Sequence, residues 1–432
     1  CSQALAGAAG IVGLGAAVTV SNVENNVSAS LGGDLAGNGT GNILVKANDS
    51  SSIYNDSVGA SAGAAAAGVV VAHANKESTV SATTANGTQL SSYKKLDVIA
   101  NSQGTVEAKS LGAAGGLFAA GNGSDAEATD KVKVTAALGE RTSTNTVFDL
   151  VSVKATATPN VKADAQGYTV SGGLTIGVSI AKAVASSSVL AKVGKNVLVN
   201  TKALNVVAET LLSADGYTTK SRAIAAGGGL LAGLGATDSR VENSSKSELL
   251  IDENTVLNAS NNLTLTAGGS SYSRADVTGI NAGIVAAGSN NAKATSATQR
   301  TLDIADNVKI TGGVLTINSG GEDKTFAKAI AGSGGLVSGA ASSAKTINEN
   351  QSTISIGNRG ATGGIDVNSA IITAKNTSRF NSQTDSTNAS LIGASGASAN
   401  NTVDSAVGLI FGIGAKLAAR SIQIAANNKI RK

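Results

Sequence analysis

The only histidine, His73, lies in the segment VVVAHANKE, with no serine, cysteine or second imidazole in that segment. Acid–base or nucleophilic catalysis needs a base held by an orienting partner and aimed at a nucleophile. Neither is identifiable around His73, so it reads as a structural histidine. Asp and Glu do not recur as a spaced pair, so a two-carboxylate glycosidase site has no support. The sequence GNGSDAEA (121–128) resembles one turn of a calcium-binding nonapeptide array, but it has no tandem copies and reads as a solvated turn. The glycine-rich runs contain no GxxxxGK[ST] phosphate loop. Cys1 is the only cysteine and excludes an internal disulfide. The expected inventory is therefore empty: no catalytic, cofactor-binding or metal-ligating residues, no cofactor, and no enzymatic activity.

The composition points the same way. Aromatic residues make up 2% of the chain, tryptophan and methionine are absent, and there are 53 glycines and one proline. Yet 42% of residues are hydrophobic and 14% are charged, which is a folding composition with a core of small side chains rather than a disordered one. The net charge of +4 is scattered, without basic runs or interleaved aromatics, so no nucleic-acid partner is expected. The Gly/Ala-rich apolar runs are mostly shorter than the ~20 residues that span a bilayer as a helix. The apolar stretch from Ala4 to Val20 follows no basic segment and does not read as a signal peptide.

What organises the chain is repetition. A short alternating segment recurs as ILVKA (43–47), LDVIA (96–100), VSVKA (151–155), LNVVA (204–208), LTLTA (263–267), LTINS (315–319) and IQIAA (422–426), with a weaker copy near Ile371. From Ile43 to Ile422 is 379 residues over seven steps, about 54 per step. Gly/Ala runs around Leu or Ile lie between these segments, as in GAAGGLFAAGNG (112–123) and AAGGGLLAGLGA (225–236). Tyr217, Tyr272, Phe326 and Phe380 are spaced by 55, 54 and 54, and Asn-rich segments such as VENN (23–26) and INEN (347–350) accompany them.

Alternation of this kind marks half-buried strands, and Asn38-Gly39, Asn86-Gly87 and Asn122-Gly123 read as turns. Helix signals are missing. Repeated strands without hairpin logic are expected to stack in parallel, each on its equivalent in the next coil. The expectation is an all-β parallel β-helix (β-solenoid) of about eight ~54-residue repeats. Two coils of ~27 residues are expected per repeat, with three shorter ones as the alternative; two would give a length of roughly 75 Å. The periodic aromatics would form one stacked ladder and the asparagines another. The longest departure from the period is expected around residues 140–180, near Pro159. Residues 1–432 are read as a single continuous solenoid. It is expected to be a fragment of a longer protein, because Ser2-Gln-Ala-Leu-Ala6 matches Ser221-Arg-Ala-Ile-Ala225 inside the repeat, and VEN at 23–25 is aligned with VEN at 241–243.

The GGL and AGLGA runs, the VENN and ENSS segments and the LxVxA strands together resemble the large filamentous adhesins of the leukotoxin-like family, related more distantly to filamentous haemagglutinin. The resemblance covers essentially the whole chain. It implies a right-handed parallel β-helix exported through an outer-membrane transporter by the two-partner route and displayed on a bacterial cell surface. The secretion domain of such proteins is not recognisable in these residues. The expected function is a structural and adhesive shaft whose partners are host or bacterial surface proteins or glycans. The alternatives are a self-assembling filament subunit associating end to end and, more remotely, a polysaccharide-acting β-helical enzyme.

Overall fold

The computed structural model describes residues 1–432. It contains no helix. Nineteen strands form a single sheet, and its pairings are parallel. The chain is an all-β parallel solenoid, as the alternating repeats require.

The repeated segments carry the stack. Ile43 pairs with Leu96, Leu96 with Val151, Val151 with Leu204, and Leu204 with Leu263. The column continues through Leu315 and Ala370 to Ile422. The steps are 53, 55, 53, 59, 52, 55 and 52 residues. Hydrogen-bonded neighbours thus lie one full repeat apart. This corrects the expected number of coils: each repeat is one coil of about 54 residues, not two of 27. Eight rows at about 4.8 Å give a stack of roughly 38 Å.

One coil is a large flattened loop. In Lys95–Leu138 the chain runs outward over residues 95–116, turns at Leu117-Phe118, and returns over 119–138. A short corner then leads into the next coil. The two ends of this loop differ in what they bury. Near the corner lies a head packed with Leu, Val and Ile, a cluster of 45 buried residues including Leu96, Val98, Val134, Leu138 and Phe148. Further out, the walls form a thin arm around a second cluster of 22 residues, in which all but Ile53, Val106, Val161, Val241 and Val277 are alanine.

The arm is thin because its walls touch. Asn55 Nδ2 donates to the His73 carbonyl at 2.5 Å and Ser57 Oγ to the Val71 carbonyl at 2.7 Å, within a single coil. Where a buried asparagine bridges the walls, its neighbour must be glycine. A Cβ at Gly235 would strike Asn281, and one at Gly279 would strike Asn290. Burying polar side chains in so narrow a space leaves no room for another methyl group.

At the corner after each return wall one residue per coil adopts the left-handed conformation: Gly87 (φ 77°), then Arg141, Asn196, Asn254 and Asn307 at 56–58°. Gly and Asn tolerate this region, so the turn read at Asn86-Gly87 is correct, as is that at Asn38-Gly39, with Gly39 at φ 82°. Asn122-Gly123 is not a turn. It and the rest of GNGSDAEA lie in the return wall, with Asn122 and Ser124 facing inward.

Two expected ladders do not form. Tyr217 and Tyr272 stack at 4.7 Å between ring centroids. Tyr272, however, is in register with Lys324, and Phe326 lies instead under the Arg274 guanidinium at 4.6 Å. Phe380 is in register with Thr325, one residue off again. The asparagines are likewise out of phase. Asn243 stacks on Ser296 and Asn348, whereas Val23 shares its column through Lys76, Asp130 and Ala185. The VEN match is therefore two residues out of register, while Ser2 and Ser221 do fall in one column.

The largest irregularity lies at residues 211–218, which leave the sheet and account for the 59-residue step. They pass beside Pro159, whose row pairs with Gly104 on the preceding coil. On the following coil, pairing stops at Ala157–Thr210 and resumes at Val161–Thr219. A proline offers no N–H to a ladder, so the next coil departs there. The expectation placed this departure on Pro159's own coil; it belongs to the next.

Candidate functional site

His73 stands on the outer side of the return wall. Its Nε2 lies 2.9 Å from Asp125 Oδ2, one coil up. The sequence reading found no partner for His73, although 52 residues, close to one repeat, separate the two. The imidazole makes no other side-chain hydrogen bond, and no hydroxyl or thiol is joined to it. The pair ties one coil to the next and has no nucleophile to activate. No group of three or more His, Cys, Asp or Glu side chains is placed to hold a metal ion.

The strongest electrostatics lie where arm meets head, in a buried polar column. In the first coils Lys76 Nζ lies 3.2 Å from Asp49 Oδ2, both side chains almost fully buried. Asp49 also accepts hydrogen bonds from the Ser51 amide (3.1 Å) and Ser102 Oγ (3.2 Å). Burial pushes its pKa up, but the Ser51 hydrogen bonds and the Lys76 charge outweigh that and hold it below the usual carboxylate range. Asp130, in register with Lys76, has an unpaired buried Oδ1. Burial raises its pKa to about 6, against the opposing pull of Lys76 and with a further push from Asp49. One cation thus serves two carboxylates.

A completed buried pair lies in later coils at different register positions, Arg300 in line with Ser247 and Asp323 with Ser271. Arg300 Nη1 and Nη2 donate to the two oxygens of Asp323 at 2.9 and 2.8 Å. Ser271 (2.6 Å) and Thr298 (3.0 Å) donate to the same carboxylate, and Ser319 Oγ donates to the Arg300 carbonyl. The Arg300 and Asp323 side chains are almost fully buried. The pair joins the return wall of one coil to the outward wall of the next.

The outer surfaces offer two concave places. On the last coils a groove of about 520 Å³ has no hydrophobic lining; Lys375, Arg379, Lys429 and Arg431 face a single carboxylate, Glu322, which pairs with Arg379 at 2.5 Å. The second, of about 750 Å³, runs along the return wall just behind the arm tip. Its floor is the column Ile176, Leu234, Ala287, Gly339 and Ala394, one residue from each of five successive coils. The sequence reading noticed the Gly/Ala runs but not that they form a single edge.

These features define a class: a parallel β-solenoid with one large two-lobed coil per repeat, an internal polar spine and an apolar outer edge. No family model, curated protein or solved structure matches the chain.

Proposed function

We propose that this chain is a structural and adhesive shaft of a secreted bacterial surface protein, which carries a binding region away from the cell and mediates attachment to a host or bacterial surface protein or glycan. The observation behind this reading is the parallel pairing sustained over eight rows, from Ser2 to Arg431, with only local interruptions such as that at 211–218. A stack of this kind transmits length and stiffness along one axis. The likeness of the GGL, AGLGA and LxVxA segments to leukotoxin-like filamentous adhesins supports the same role, with export through an outer-membrane transporter.

The experiment is in the cell that makes the protein. Antibody against residues 1–432 should label intact cells, external protease should remove the label, and an in-frame deletion of these residues should reduce attachment to host cells or to other bacteria. Labelling only after permeabilisation would overturn surface display. Undiminished attachment by the deletion strain would overturn the adhesive role.

A further inference from the structure

The arm tip breaks the alternation rule that the rest of the coil obeys. Elsewhere the outward positions of the two walls carry charge, as at Lys162 and Asp164 or Arg240 and Glu242. Over the tip there is none. Residues 110–124, 165–181, 223–237, 277–292, 329–344 and 386–403 contain no Asp, Glu, Lys or Arg, and nor do 1–23 and 57–75 in the first two coils. All eight segments stack into one edge.

That edge is apolar and open to solvent. Phe118 is 69% exposed, Leu230 68%, Leu231 59%, Leu336 54% and Leu391 85%. They form a ridge parallel to the solenoid axis. Immediately behind it, on the return wall, lies the 750 Å³ groove floored by small residues such as Ala287 and Gly339. The groove spans five coils, and beside it over those coils the tip carries Gly172-Gly173, then Leu230-Leu231, Ile284, Leu336 and Leu391.

We propose that this edge is where two copies of the chain meet, the ridge of each seated in the groove of the other about a two-fold axis. Three observations select a second copy as the occupant. First, the size fits. The charge-free edge is about 38 Å long over its eight rows, and about three residues on either side of the tip give a contour width of about 20 Å, hence roughly 750 Å² per copy. A standard stable interface buries about 800 Å² per partner, and isolated monomers rarely leave apolar patches of more than a few hundred Å² open. Second, the shape is self-complementary: a two-fold interface needs projection and recess within one patch, and both are here. Third, the charges bordering the patch are mixed. Lys109 and Asp125, Arg222 and Asp238, and Asp276 and Lys293 border it on the outer sides of the two walls. Mixed signs suit a copy of the same surface and give no attraction to an anionic membrane.

The pairing is independent of the adhesin reading. Sedimentation velocity on the 432-residue chain, at roughly 1–100 μM, tests it. The chain should sediment as a dimer. The variant carrying Leu231→Glu and Leu336→Glu should be monomeric, its Kd raised at least about 100-fold. Circular dichroism should be unchanged, because both side chains already lie in water. Leu231→Ala with Leu336→Ala, which removes bulk without adding charge, should weaken the dimer about 10-fold and serves if the charged variant does not fold. A wild-type chain that stays monomeric at 100 μM overturns the proposal. So does a Glu variant that dimerises like wild type, since association would then run through the coil ends. A monomer that floats with neutral phosphatidylcholine vesicles overturns it as well, making lipid the occupant.

Discussion

Replacing Asp130 with asparagine should make the protein more stable at neutral pH and remove most of its pH dependence between about pH 4 and 6. The carboxyl is buried between the walls, 1% exposed, with one oxygen unpaired. Its pKa rises from 3.8 in the open chain to about 6 in the fold. The folded state therefore binds this proton more tightly than the unfolded state. Stability from it is fully present below about pH 3.8 and is lost as pH rises through about 6. The interval corresponds to about 3 kcal/mol of destabilisation at neutral pH. The replacement amide would be neutral at every pH and of the same shape. Asp49 acts with the opposite sign, but its lowered pKa confines its effect to pH below about 3.8. Asp303, also raised by burial, leaves a smaller slope of the same sign as Asp130. Urea unfolding followed by circular dichroism, at about pH 4.5 and 7.5, measures the effect on wild type and Asp130→Asn. The variant's advantage should be about 1 kcal/mol near pH 4.5 and grow to about 3 kcal/mol near pH 7.5. A wild type that gains stability between those values, or a variant less stable than wild type near neutrality, would refute the reasoning.

Further outcomes follow from the packing. Asp323→Ala leaves Arg300 buried without its anion and should cost about 3–5 kcal/mol in thermal or urea unfolding, whereas Arg300→Met with Asp323→Leu should cost much less. Gly321→Ala should destabilise by about 2 kcal/mol or more, because the added methyl would meet the Gly269 carbonyl and lie 2.7 Å from Arg300 Nε. Ala183→Leu, in the arm, should cost about 1–3 kcal/mol by forcing the walls apart. Leu265→Ala, in the head, should cost about 2–5 kcal/mol by opening a cavity. Comparison of the last two by differential scanning calorimetry checks that arm and head obey opposite size rules.

The LxVxA column was legible because the head demands large aliphatic residues at fixed inward positions, so every coil repeats them. The number of coils was not, since a period read along the chain equals either one turn of the solenoid or several. Only hydrogen-bond register distinguishes the two. The aromatic spacing misled for a related reason. A constant interval of about 54 keeps phase only if every coil has that length, and here the steps vary from 52 to 59 residues. Tyr272 and Phe326 are 54 apart where the register advances by 52, so they end two positions apart. Asn122-Gly123 misled because the same pair that favours a turn also fits two walls in contact: the asparagine fills the gap, and small neighbours make room for it. The His73–Asp125 contact was hidden until coil length was known.

The arm poses a question that the head does not. A head of Leu, Val and Ile suffices to hold a solenoid together, and the Arg300–Asp323 pair is buried beside it. Extending each coil outward adds mainly alanine burial, a small gain per residue against the entropy of ordering roughly 30 more residues. If the extension served only to complete the coil, its outer face would be as charged at the tip as it is at Lys162, Asp164 or Lys182. Instead eight separate segments omit charge at the same place and five of them line one apolar groove. The arm is then explained by what it displays rather than by what it buries, and the exposed Leu230-Leu231 and Leu336-Val337 steps are where its reason for existing has to be sought.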